Sequence, residues 1–208
     1  MRLILHYISG MLGYMLILFP FYCIGRYIYL RRTGNKSDVL QELVLGSFVL
    51  YMIGLSSQTI IPRWYMGIYS DTGQFYFDIY AGIDLSRVNL IPFKTISSQL
   101  FGANPSVDDW NSVSLLNLMA NVFLFAPIGL FFPLLWTKWN SIKNVFFVGL
   151  MTTSLVEVIQ LFIGRSVDID DIILNTIGVF IGYGFFICAS KFKLFQSIST
   201  NLKTNKNE

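Results

Sequence analysis

The sequence predicts an all-α fold: a polytopic membrane helix bundle of about five transmembrane helices, with a polar site at its exoplasmic end. Three observations predict it. The 208-residue chain is 54% hydrophobic and 13% charged, where a soluble domain carries about 25% charged residues. Its apolar residues gather into runs of roughly 20, the length a helix needs to cross about 30 Å of hydrocarbon. Lys and Arg alternate in abundance from one connection to the next, as a multi-pass topology requires. The net charge of +3 therefore reflects topology rather than nucleic-acid binding, since no basic cluster occupies a helix face. Cys23 and Cys188 lie inside apolar runs, where a thiol behaves as a small hydrophobe and carries no redox information.

The first run covers 5–25. Arg2 is the sole positive side chain before it, no A-x-A cleavage site follows, and Arg26, Arg31, Arg32 and Lys36 come directly after, so it reads as a retained anchor rather than a signal peptide. The remaining runs are 40–61, 115–136, 142–163 and 172–190. Residues 1–38 form the anchor helix and a basic cytoplasmic loop, and 39–190 a membrane domain that includes an exoplasmic segment, 62–114. The tail, 191–208, is rich in Lys, Ser, Thr and Asn without an apolar face. It is expected to be loosely ordered and suited to anionic lipid.

Orientation follows from the basic residues. Arg26, Arg31, Arg32, Lys36, Lys138, Lys143, Lys191, Lys193, Lys203 and Lys206 fall on one side, and Arg2, Arg63, Arg87, Lys94 and Arg165 on the other. The richer side is cytoplasmic, so the N-terminus is predicted outside and the C-terminus inside. The outer connections also hold most of the acids, Asp71, Asp78, Asp84, Asp108, Asp109, Asp168, Asp170 and Asp171.

Polar side chains inside these runs have no water to satisfy them, so they must face the bundle interior or a wet cavity. Thr153, Glu157, Gln160 and Gly164 are spaced 4, 3 and 4 apart and share one helix face; Asp171, Asn175, Gly178 and Gly182 repeat that spacing, and Asn117 and Asn121 are four apart. Depth places all three stripes at one level, because the third run enters from outside, the fourth leaves outward and the fifth enters again. The short connection from Gly164 to Asp171 caps that level with one cation and three acids.

Each residue also has a plain structural role open to it. Asp168 or Asp170 suits the N-cap of the last helix, with Asp171 complementing its dipole. Gly178-x-x-x-Gly182 suits close helix packing, and the amides suit interhelical hydrogen bonds. Glu157 fits such an account least well, because a carboxylate at that depth costs about 2.5–3.5 kcal/mol and needs a partner, a proton or water. Arg165, about 12 Å further along the same direction, has the reach to lean back toward it. His6 is the single histidine and sits near the outer end of the first run, in an interfacial rather than catalytic setting. No Cys/His spacing suggests zinc and no glycine-rich loop suggests phosphate.

The connection between the second and third runs is rich in aromatics, with Trp64, Tyr65, Tyr69, Phe75, Tyr76, Phe77 and Tyr80. They suit the aromatic belt at headgroup level better than a lipid-binding platform. The stretch Asn89-Leu90-Ile91-Pro92-Phe93, followed by Lys94, is too short to span and is expected to lie on the interface or dip into the bundle.

Four segments taken together resemble the VanZ-like family of bacterial membrane proteins. They are Asn89-Leu90-Ile91-Pro92-Phe93, Asn121-Val122-Phe123-Leu124-Phe125-Ala126-Pro127-Ile128-Gly129, Glu157-Val158-Ile159-Gln160, and Arg165 with Asp168-Ile169-Asp170-Asp171 and Asn175-Thr176-Ile177-Gly178. The resemblance covers roughly 45–190 and leaves out the first run, its basic loop, the tail and Asp108-Asp109-Trp110. It implies a link to glycopeptide resistance, since the founding member is associated with teicoplanin resistance, usually in Gram-positive bacteria.

Three functions fit these residues. In the first, an outer pocket binds an amphiphile, either a lipid-linked cell-envelope intermediate or a lipoglycopeptide. Asn89, Pro92, Phe93, Lys94, Asn121, Gln160, Arg165 and Asn175 would form that pocket, with Arg165 and Lys94 on anionic groups and the amides on sugar or amide. In the second, an intramembrane enzyme uses Glu157 as general base with Asp168 and Asp171, and Arg165 stabilises developing charge. No cofactor is expected for the first function. For the second, Asp168, Asp170 and Asp171 offer the hard oxygens that Mg²⁺ or Ca²⁺ takes. In the third, the polar residues are glue in a scaffold that recruits a partner. Besides the lipid bilayer and that ligand, no nucleic acid is expected as a partner.

Overall fold

The computed structural model describes residues 2–34, 37–62, 64–79, 81–104, 107, 109–192 and 195–196. The expectations for Lys36, Arg63, Tyr80, Asp108, Lys193 and the end of the tail lie outside the described residues. Among the described residues six α-helices form, α1 (Arg2–Thr33), α2 (Val39–Thr59), α3 (Lys94–Phe101), α4 (Trp110–Leu135), α5 (Ile142–Phe162) and α6 (Ile169–Ala189). All but α3 are long and apolar enough to cross a membrane, which makes the protein an all-α polytopic bundle.

The first helix runs past the predicted boundary. It continues through Pro20 to Thr33 and places Arg31 and Arg32 in its last turn, where cations suit the negative end of the helix dipole. At 32 residues it is about 48 Å long, more than the hydrocarbon thickness. It packs along α2: Phe19 lies over Gly46, and Met11 and Met15 over Gly54. Arg26 grips Glu42 with two nitrogens, Nε to Oε2 at 2.9 Å and Nη2 to Oε1 at 2.6 Å, and Ser37 donates to the same carboxylate.

The core lies among α2, α4, α5 and α6, where Leu55, Phe125, Ile128, Val145, Val156, Val179 and Phe186 are buried together. The closest pair is α4 with α6, and glycine makes it so. A Cβ on Gly178 would strike the carbonyl of Val122, one on Gly182 that of Ala126, and one on Gly129 that of Val179. The matched register shows that the two helices run in the same direction, as two spans separated by one return must. Close backbone approach through small residues is the usual basis of association where lipid offers no hydrophobic gain. The Tyr51 hydroxyl donates to the carbonyl of Leu124 at 2.6 Å and ties α2 to α4.

The connection between α2 and α4 is more structured than a belt of aromatics. Strands β1 (Trp64–Ile68) and β2 (Phe75–Ile79) form an antiparallel hairpin with Trp64 opposite Ile79. Its turn closes through Gly73 at φ +67°, a conformation glycine adopts freely. Trp64 donates to the Tyr14 hydroxyl of α1 at 3.0 Å, and Trp64, Tyr65, Phe75 and Phe77 are exposed.

The chain then runs beside the α5–α6 link. The Gly82 amide donates to the Phe162 carbonyl, and Arg87 Nη1 reaches the carbonyl of Gly164. Asp84 caps the short turn Leu85–Arg87, and hydrogen bonds from the Ser86 hydroxyl and amide hold its carboxyl below the usual range. Strand β3 (Val88–Asn89) pairs in parallel with β4 (Val167–Asp168), Asn89 opposite Asp168. Leu90, Ile91 and Phe93 are exposed, so the segment lies on the end of the bundle with its apolar side chains turned outward and does not dip inside.

Candidate functional site: a polar cavity at one end of the bundle

Helix α5 ends with Gly164 at φ +69°, and the Arg165 amide bonds back to the Gln160 carbonyl at 3.0 Å. That is the six-to-one closure of a Schellman cap, and it turns the chain sharply toward α6. Asp168 is the N-cap of α6, its Oδ1 accepting from the Asp170 amide at 2.9 Å. The same oxygen accepts from Asn89 Nδ2 at 3.0 Å, and Oδ2 accepts from the Thr95 hydroxyl. Glu157 Oε2 accepts from the Asp168 amide at 2.8 Å. Glu157 is 3% exposed, and this backbone amide ties its carboxyl to the start of α6.

Asp170 is wholly buried. Its carboxylate accepts three backbone amides from the start of α3, Phe93 at 2.5 Å, Thr95 at 2.8 Å and Ile96 at 3.0 Å. A carboxylate is well placed there because the first amides of a helix lack intrahelical partners. Phe93 takes φ +64° at this junction. The strain of that conformation for a non-glycine residue is held in place by the Asp170 contact.

Between these capped ends lies a cavity of about 660 Å³, within the range of small-ligand sites. Asn117 and Asn121 reach it from α4, Glu157 and Gln160 from α5, and Asp171 and Asn175 from α6. The three polar stripes thus meet in one space. Asn121 Nδ2 donates to Asp171 Oδ1 at 2.6 Å, and Gln160 Nε2 donates to the Thr59 carbonyl at 3.1 Å. Arg165 lines the cavity too, and its Nη1 donates to the Gln58 carbonyl at 2.6 Å.

Other candidates stand elsewhere. Asn89, Pro92, Phe93 and Lys94 do not line the cavity; Asn89 serves the wall indirectly through Asp168, and Lys94 is exposed. The donor set anticipated for Mg²⁺ or Ca²⁺, Asp168, Asp170 and Asp171, is not assembled. Asp170 faces α3 while Asp171 faces α4, and among the described residues no group of three or more His, Cys, Asp or Glu is disposed to hold a metal ion. The wall also includes Gln58 and Thr59 of α2 and Thr95 and Gln99 of α3. Sequence reasoning missed them. Gln58-Thr59 carried a signal as a polar pair at the end of an apolar run, whereas Thr95 and Gln99 reach the wall only because Asp170 docks α3.

The architecture and the site join residues far apart in the chain, and their four defining segments lie within one span of sequence. No curated protein and no solved structure matches the chain. The profile of the VanZ/LLP1 family matches residues 48–193, more than half of the chain and all six stripe residues that line the cavity, so the protein belongs to the VanZ/LLP1 family.

Proposed function

We propose that the protein is a multi-pass envelope protein that lowers susceptibility to glycopeptide and lipoglycopeptide antibiotics such as teicoplanin. It does so by binding an amphiphilic envelope lipid, or the drug itself, in the cavity at the outer leaflet. The observation that carries this reading is a single cavity with a polar inner wall, Asn121, Glu157, Asp171 and Asn175, and an apolar edge, Ile8, Met11, Met119 and Phe123. Such a wall solvates a headgroup, while the edge meets an acyl chain. Outer-leaflet placement rests on Arg31, Arg32, Lys138 and Lys143, which stand at the opposite end of the bundle, the end a cytoplasmic face would occupy. The N-terminus is then outside and the C-terminus cytoplasmic. Tags at the two termini reporting the same side of the membrane would refute that arrangement.

The test is susceptibility to teicoplanin and a lipoglycopeptide in a sensitive Gram-positive host, comparing wild type, Glu157→Gln and Asp171→Asn at equal membrane levels. Binding predicts that wild type raises tolerance and that at least one isosteric amide keeps part of it. The second reading is an intramembrane enzyme acting on a lipid-linked substrate with Glu157, Asp168, Asp171 and Arg165. It is favoured by two buried carboxylates and a guanidinium on one wall, and it predicts complete loss with either amide. If all three proteins raise tolerance equally, the polar wall is packing glue for a scaffold. No tolerance from wild type refutes the resistance role.

A further inference from the structure

Buried polar atoms are almost always partnered, and two on this cavity wall are not. Asn175 is 3% exposed, and its Oδ1 has no hydrogen-bond partner. Gln99 Oε1 is likewise buried without a partner. Both are acceptors. Around them, Glu157, Asp168 and Asp171 place three acidic side chains on the wall against one cationic side chain, Arg165, among the described residues. The cavity therefore presents open acceptors and more acidic than basic side chains. A primary ammonium matches both, with three N–H donors on a compact cation.

The open edge of the cavity fixes what carries that ammonium. Ile8 and Met11 of α1 and Met119 and Phe123 of α4 all line it. Ile8 is 46%, Met119 41% and Phe123 63% exposed, which gives the cavity an exposed apolar border. We infer that the cavity takes the protonated primary amine of a membrane amphiphile, whose apolar chain leaves between α1 and α4. The inference rests on the amphiphile-binding reading and narrows it to one headgroup chemistry.

The test uses the full chain in nanodiscs, with four probes: phosphatidylethanolamine, phosphatidylcholine, phosphatidylglycerol and chain-free O-phosphoethanolamine. Phosphatidylcholine keeps the charge but has no N–H, and O-phosphoethanolamine keeps the amine but has no chain. Retention of each lipid is read by native mass spectrometry, with thermal unfolding as the check on fold. Phosphatidylethanolamine should be retained at least about tenfold over the other two lipids, and O-phosphoethanolamine should not displace it. Asn175→Leu and Asp171→Asn should each erase most of that preference. Gln99→Leu, on the exposed helix α3, should reduce it even if Asn175→Leu fails to fold.

Equal retention of all three lipids overturns the amine assignment and leaves the amphiphile reading intact. Displacement by O-phosphoethanolamine at equal concentration overturns the membrane-chain clause. Stabilisation by Ca²⁺ or Mg²⁺ alone, with no added effect of lipid, replaces the amine with a metal ion and overturns the proposal. Retention of no lipid, with no change in the cavity variants, overturns both readings together.

Discussion

Replacing Asp170 tests how the end of the bundle is held. Its carboxylate is the acceptor for three amides, those of Phe93, Thr95 and Ile96, and hydrogen bonds to a charged acceptor are worth about 1.5–3 kcal/mol each. Asp170→Ala would cost roughly 5–9 kcal/mol if those amides stayed buried. They need not stay, because Leu90, Ile91, Leu100 and Phe101 are already exposed, so the segment from β3 to α3 swings free and the loss is capped near the strength of its docking. The expected result is local: the opening free energy of 90–101 falls by about 3 kcal/mol, roughly a hundredfold faster amide exchange. Peptides from α5 and the middle of α6 keep their protection. Asp170→Asn retains one acceptor oxygen but aims an amide N–H at the remaining donors, so it should fall between wild type and Ala. Hydrogen-exchange mass spectrometry in nanodiscs measures both. Unchanged protection of 90–101 in Asp170→Ala, or a loss spread evenly over α5 and α6, would refute the reasoning.

Other substitutions probe the packing and the wall. Gly182→Ala places a methyl group against the Ala126 carbonyl and should cost about 1–3 kcal/mol in thermal unfolding, while Gly184→Ala, which meets nothing within 4 Å, should be silent. Asn121→Leu removes the amide that donates to Asp171 and should lower resistance or lipid retention while leaving the α4–α6 contact in place, as read by cysteine cross-linking between those helices. Glu42→Gln loosens the Arg26 grip and should cost about 1 kcal/mol at most, because both side chains are partly exposed. Its signature is weaker cross-linking of α1 to α2 with no change at the cavity.

Much of this arrangement was legible in the sequence. The helices followed from apolar length, and the meeting of Asn121, Glu157, Gln160, Asp171 and Asn175 followed from spacing and the alternating direction of the spans. The first helix outran its apolar run because Arg26 has Glu42 as a partner, which no periodicity reveals. Helix α3 was not legible either. Eight residues with Ser97, Ser98 and Gln99 form a weak helix on their own, and it persists because an acid 75 residues later accepts its first amides. The roles assigned to Asn89 and Lys94 were misplaced for the same reason, since a motif near a cavity in sequence need not face it. Asp170 takes backbone amides of α3, whereas Asp168 combines the cap of α6 with side-chain bonds from Asn89 and Thr95 on the cavity wall.

The two-residue pairing of Asn89 with Asp168 has a bearing on how the protein is made. The β3–β4 pair and the docking of α3 join a segment near the middle of the chain to one synthesised 74–79 residues later. Until the start of α6 emerges, β3 has no strand to lie beside, α3 has no carboxylate to dock on, and α4 lacks the glycine face it packs against. A chain stalled after α5 therefore displays unpaired amides and an open polar groove. The site is thus assembled only once the start of α6 has been made, and until then the amides of α3 lack their carboxylate.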